Sequence, residues 1–180
     1  MFKIVKDNKK SLRERSIDVE LPLSDENRKL LLDMIDYLKK SQDEEYSQKH
    51  GVRAGVGLAA PQIGINKKLI AIYYPKDEKS FVEYGLANPR IVSSSLRLCC
   101  LQNGEGCLSV DDDYRGFVYR SNKITVKAFD VVQNKEVEII ARGYDAIVLQ
   151  HEIDHLYGVL FYDHINKQHP FEEKENAIKI

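Results

Sequence analysis

His151-Glu152-Ile153-Asp154-His155 sets two imidazoles four residues apart, with a carboxylate beside the first. On a helix, residues i and i+4 project from one face, so both rings can reach a single ion. Glu152 then lies about 100° round the wheel from His151, able to touch a water on that ion without ligating the ion itself. A carboxylate so placed is a general acid–base, and the chemistry expected is metal-assisted hydrolysis. The preceding Ala146-Ile147-Val148-Leu149 is apolar all round, which predicts a buried helix. Burying two histidines and a glutamate is costly unless something pairs with them, and a metal ion does so.

A catalytic site of the zinc type takes three protein ligands and leaves one position for water. His164 and His169 have the wrong spacing and sit in a polar stretch, so the third ligand is sought upstream. Cys107, within Glu105-Gly106-Cys107-Leu108-Ser109-Val110, offers a soft thiolate that suits iron(II) or zinc. The same cysteine also reads as a small buried hydrophobe, the usual fate of a free thiol. Tyr144, Ile147 and Val148 share the histidine side of the wheel and read equally as core or as the apolar wall of a pocket. Asp154 faces away and is expected to be a structural hydrogen-bonder. Gly55-Val56-Gly57-Leu58-Ala59-Ala60-Pro61-Gln62 alone reads as a tight turn. Its functional alternative is a backbone edge near a substrate, with Gln62 donating an amide N–H to a carbonyl oxygen.

The elements that must position these groups are legible in outline. Ser24-Asp25-Glu26 marks a helix start, and Leu30, Leu31, Met34, Ile35 and Leu38 repeat at helical spacing, predicting a helix over about 25–40. Ser41 to Arg53 is polar and reads as a loop or a frayed extension. Strands are expected at Leu69–Tyr74, in shorter runs near Phe81–Tyr84 and Arg90–Val92, and as a hairpin formed by Ile124–Val132 and Lys135–Ala141. The motif helix is expected over about Tyr144–Tyr157, stopped by Gly158, with a polar tail from about residue 164. The fold class is α+β, mostly antiparallel sheets around the helix that carries the histidines, in one domain spanning 1–180.

A hydrophobic fraction of 43% fits a folded chain, and a net charge of −1 gives no electrostatic case for nucleic acid or an anionic membrane. No apolar run approaches the roughly 20 residues that span a bilayer, and the N-terminus lacks an export signal, so a cytoplasmic protein is expected. Three cysteines, two of them adjacent, make a poor disulfide framework and fit the same compartment.

Taken together, G-V-G-L-A-A-P-Q, E-G-C-L-S and Q-H-E-I-D-H-L, in that order over residues 55 to 156, resemble the three signature motifs of the peptide deformylases. The E-G-C-L-S-V form and the long polar stretch before Gly55 resemble the second, Gram-positive-type subclass. The resemblance implies that Cys107, His151 and His155 bind one divalent metal, iron(II) natively, with zinc, nickel or cobalt compatible. It implies Glu152 as acid–base and Gln62 with the Leu108 backbone N–H as oxyanion donors. It assigns Gly57, with Val56 and Gly106, to substrate binding, Gly57 on a strand edge that pairs with the substrate backbone. Tyr144, Ile147 and Val148 become walls of a methionine pocket. The implied reaction removes the N-formyl group from the initiator methionine of new polypeptides, releasing formate, with a metal-bound water as nucleophile. The implied partners are N-formyl-methionyl nascent peptides and, transiently, the ribosome; a monomer is expected. One stretch departs from the subclass: Asp111-Asp112-Asp113-Tyr114-Arg115-Gly116 is acidic, with arginine where proline is common.

Overall fold

In the computed structural model, which describes residues 2–180, the first helix begins where its acids predict. Ser24 Oγ accepts the Asn27 N–H at 3.3 Å, Asp25 and Glu26 occupy the positive end, and α1 runs Asp25–Ser41. The expectation of a loop or frayed extension over Ser41 to Arg53 is corrected. Asp43 caps a separate short helix, α2 (Glu44–His50), by accepting the Tyr46 N–H at 2.7 Å, and Gly51 ends it in the left-handed conformation at φ 62°.

The strands are β1 (Gly57–Ala59), β2 (Leu69–Pro75), β3 (Phe81–Ser94), β4 (Leu98–Cys100), β5 (Arg120–Ser121), β6 (Lys123–Asp130), β7 (Lys135–Arg142) and β8 (Ile178–Lys179). A five-stranded antiparallel sheet has the order β1-β2-β3-β6-β7, and a three-stranded sheet the order β5-β4-β8, in which β4 and β8 run parallel. The motif helix, α3, spans Tyr144–His155, two residues shorter than expected; the chain turns through Leu156 and reaches Gly158 at φ 74°.

The unbroken apolar run of β2 has a physical reason: both faces of the large sheet are covered. Ile70, Ile72 and Tyr74 point into a core shared with Val148, Leu149, Ile153 and Leu156, on and just beyond α3. Leu69, Ala71 and Tyr73 point the other way, toward Leu31, Met34, Ile35 and Leu38 of α1. The α+β class with predominantly antiparallel sheets is therefore observed.

One further expectation changes. The short runs at Phe81–Tyr84 and Arg90–Val92 belong to one strand, β3, interrupted by register shifts after Ala87 and Ile91. Asn88, at φ 51°, sits in the first irregularity, and its side chain locks it by accepting Val19 N–H at 2.9 Å and donating to Val19 O at 2.8 Å. Pro89, which has no N–H to give a ladder, is tolerated there. The polar tail is folded onto the body: Ile178 and Lys179 pair with Cys99 and Cys100, and Phe117 N–H donates to Pro170 O at 2.8 Å. Among the described residues, no helix is long and apolar enough to cross a membrane.

Candidate metal centre

Helix α3 is buried along Ala146–Leu149 as its composition requires, and it carries Tyr144, Ile147, Val148, His151 and Glu152 along one wall of a cleft of about 290 Å³. The other walls include Arg53, Val56 and Gly57 at and before the start of β1, Gln62, and Gly106, Cys107 and Leu108. His155 lies beneath, 1% exposed. All twelve residues singled out in the sequence thus meet in or directly under one cleft.

The ligand atoms of Cys107, His151 and His155 lie within 4.8 Å of one another. Cys107 Sγ is 3.4 Å from His155 Nε2. Around a tetrahedral zinc-like centre, with metal–sulfur and metal–nitrogen bonds of about 2.3 and 2.1 Å, those two atoms would be about 3.6 Å apart. The residues therefore fit a divalent metal. Glu152 Oε2, in a residue only 4% exposed, has no hydrogen-bond partner among the described residues, the condition of a group kept for something that enters the cleft.

Electrostatics agree. Burial opposes ionisation of the Cys107 thiol, but His155 and His151 outweigh it and hold the thiol well below its usual range, toward the thiolate that metals bind. Burial likewise opposes the His151 imidazolium, but hydrogen bonding to Cys107 and Glu105 drives its pKa well above the ordinary value, so His151 and Cys107 form a thiolate–imidazolium pair whose proton a metal must displace. Burial pushes the Glu152 carboxyl up, and the neighbouring histidines do not cancel the rise, which suits a proton carrier.

Sequence reasoning missed the groups that hold these side chains. Glu105, inside the cysteine motif, accepts from His151 Nδ1 at 2.8 Å and so leaves Nε2 for the metal. Arg120 grips Glu105 through two bonds of 2.6 and 3.0 Å, both side chains 3% exposed, and reaches Asp154 at 2.8 Å. Asp154 is thus the structural hydrogen-bonder expected, taking His164 Nε2 as well at 2.8 Å. Nothing in the spacing could announce Arg120, which enters from a two-residue strand. The acidic loop is tied down too: Asp111 pairs with Lys6 at 2.6 Å, and Tyr114 stacks on Tyr162 at 4.1 Å between ring centroids.

Gln62 stands in a short 3₁₀ turn, Ala60–Ile63, opened by Pro61. Its Oε1 accepts the Ala59 N–H at 2.8 Å, which fixes the amide so that Nε2 faces Cys107 Sγ and Ser109 Oγ, each at 3.3 Å. Gly57 must lack a side chain: a Cβ there would lie 2.3 Å from Glu152 Oε1.

The family model described as polypeptide deformylase matches residues 1–171 of this chain. Peptide deformylase 2 of Bacillus subtilis (strain 168) is 48% identical over 180 residues, covering 100% of this chain and 97% of that one. The peptide deformylase of Listeria monocytogenes serovar 1/2a is 47% identical over 170 residues, 94% of this chain and 92% of that one. Among solved structures, a peptide deformylase from Legionella pneumophila is similar with a TM-score of 0.71 and 35% identity, covering 93% of this chain and 88% of that chain.

Proposed function

Because the chain belongs to the peptide deformylase family and so removes the N-formyl group of nascent peptides, we propose that it does so with Glu152 as acid–base over a metal held by Cys107, His151 and His155. The observation that carries this reading is the buried, unpartnered Glu152 Oε2 beside that three-ligand cluster in the cleft. The metal, when bound, supplies Lewis acidity and makes a nucleophile of water near neutral pH. Glu152 takes the proton from the attacking water and passes it to the departing amine. Gln62 Nε2 and the Leu108 N–H donate to the oxygen that gains charge. Gly57, with Val56 and Gly106, lies along the substrate backbone, and Tyr144, Ile147 and Val148 enclose the methionine side chain.

Formyl-Met-Ala should be hydrolysed to formate and Met-Ala while acetyl-Met-Ala is spared. Glu152→Gln should keep its metal and lose turnover. Wild-type turnover by Glu152→Gln, or equal cleavage of an internal peptide bond, would overturn the assignment.

We take iron(II) as the native metal, which the thiolate–imidazole donor set allows as it also allows zinc, nickel or cobalt. Metal analysis after purification without oxygen decides it. The reading further takes residues 1–180 as one catalytic domain, monomeric and cytoplasmic, meeting its substrate by transient association with ribosomes. Sizing tests the monomer, and co-sedimentation tests the association with ribosomes.

A further inference from the structure

We propose that Arg53 is a positioning residue that acts through the peptide bond between Cys107 and Leu108. The proposal rests on the reading of the Leu108 N–H as an oxyanion donor. That N–H and the Cys107 C=O belong to one planar trans peptide unit and point in opposite directions. The Arg53 guanidinium, whose residue also lines the cleft, donates from Nη2 to this Cys107 oxygen, opposite the N–H that on that reading faces the reacting centre. Its Nη1 bridges to Val110 O at 3.2 Å, and Asp111 Oδ1 lies 3.4 Å away, so the fork spans the whole turn. On the other side Leu108 is braced against Gly55, where a Cβ would come within 2.7 Å of Leu108 Cδ1.

A cation on the carbonyl of a peptide does two things to its N–H. It fixes the plane, and therefore the direction of the donor. It also polarises the amide, so that the N–H gives a stronger bond to a developing negative charge, as hydrogen bonds in series reinforce one another.

The molecule contains its own control. Lys6 also holds this turn, donating to Leu108 O at 3.3 Å and pairing with the same Asp111 at 2.6 Å. The Leu108 carbonyl shares its peptide unit with the Ser109 N–H, not with the Leu108 N–H. A merely structural clamp would make Lys6 and Arg53 equivalent; polarisation makes only Arg53 matter.

The test compares zinc-loaded wild type with Arg53→Met, Arg53→Lys and Lys6→Met. Deformylation of formyl-Met-Ala gives kcat and KM. The Leu108 amide resonance is followed with and without a peptide bearing a phosphonate in place of the formyl group. Arg53→Met should lower kcat about tenfold, a fraction of the roughly 10²–10³ that a whole oxyanion donor contributes. KM and zinc content should be unchanged, and the Leu108 amide proton should move upfield. Arg53→Lys should recover part of the loss, and Lys6→Met should keep wild-type kcat. If Arg53→Met does not fold, the partial kcat loss and amide shift of Arg53→Lys carry the test. A raised KM with intact kcat, or equal kcat losses from Arg53→Met and Lys6→Met, would overturn the proposal. A wild-type Leu108 amide that ignores the phosphonate would remove the donor reading and this inference with it. A wild-type response with unaltered kcat in Arg53→Met would remove the inference alone.

Discussion

Gly57→Ala is the sharpest perturbation of Glu152, the proposed proton carrier, that does not touch its chemistry. An added Cβ would stand 2.3, 2.5 and 2.7 Å from Oε1, Cδ and Cγ of Glu152. Neither side can give easily. Glu152 is 4% exposed on buried α3, and Gly57 is held in the sheet opposite Ile72. Restoring ordinary contact requires a displacement of about 1 Å, and a misplacement of that size at a reacting group lowers kcat by about a hundredfold. Overpacking should also destabilise the fold by about 1–3 kcal/mol. The assay is formate release from formyl-Met-Ala by protein of measured metal content, alongside thermal unfolding. The Gly57 backbone survives the change, so the loss should fall on kcat more than on KM. A Gly57→Ala protein with wild-type kcat and an unshifted Tm would refute the reasoning, because it would mean that Glu152 has room to move without consequence.

Glu105→Gln should weaken metal affinity about 10- to 100-fold, because the second nitrogen of His151 loses its charged acceptor; competition with a chelator measures this. The same change removes one partner of buried Arg120, which Asp154 continues to hold, so the stability loss in denaturant should fall near the lower end of about 3–5 kcal/mol. Tyr74→Phe removes the 2.5 Å bond to Asp145 behind Tyr144, whose ring meets that of Tyr74 edge-on at 5.3 Å. It should cost about 1–3 kcal/mol of stability and raise KM while sparing kcat. Burial opposes the Asp163 carboxylate, but Arg13 and the Leu160 N–H outweigh it and lower the pKa below 3.8. A lowered folded-state value means stability that is present above pH 3.8 and lost as pH falls through the folded value. Asp163→Asn should therefore flatten acid unfolding in that window, and identical acid titrations of variant and wild type would count against the pair.

What the sequence disclosed depended on whether the cause was local. The start of α1, the β6–β7 hairpin and α3 follow from capping, alternation and helical period, all written in neighbouring residues. The continuity of β3 was hidden because the lock that carries the strand across Asn88 and Pro89 comes from Val19, 69 residues away. The docking of the last residues was hidden for a related reason. A two-residue strand such as β8 has no period to detect, and its partner β4 lies far upstream.

At the site the same distinction separates the groups that act from the groups that hold them. The residues proposed to act sit in three short segments, two of which need a particular backbone: a helix face for His151 and His155, and in the glycine segment a tight turn for Gln62 and a glycine for the approach of Glu152. Such demands leave local signatures. The holding residues need only a charge at the right distance, and any element can deliver one. Glu105 was in view but had no visible task until Arg120 arrived from 15 residues downstream and His151 from 46. Arg53 stood next to the glycine segment as one more polar residue, yet its guanidinium reaches the one carbonyl whose peptide carries the proposed oxyanion donor. Residues of this kind become legible only through coordinates, and they are where the enzyme can be tuned without altering its signature motifs.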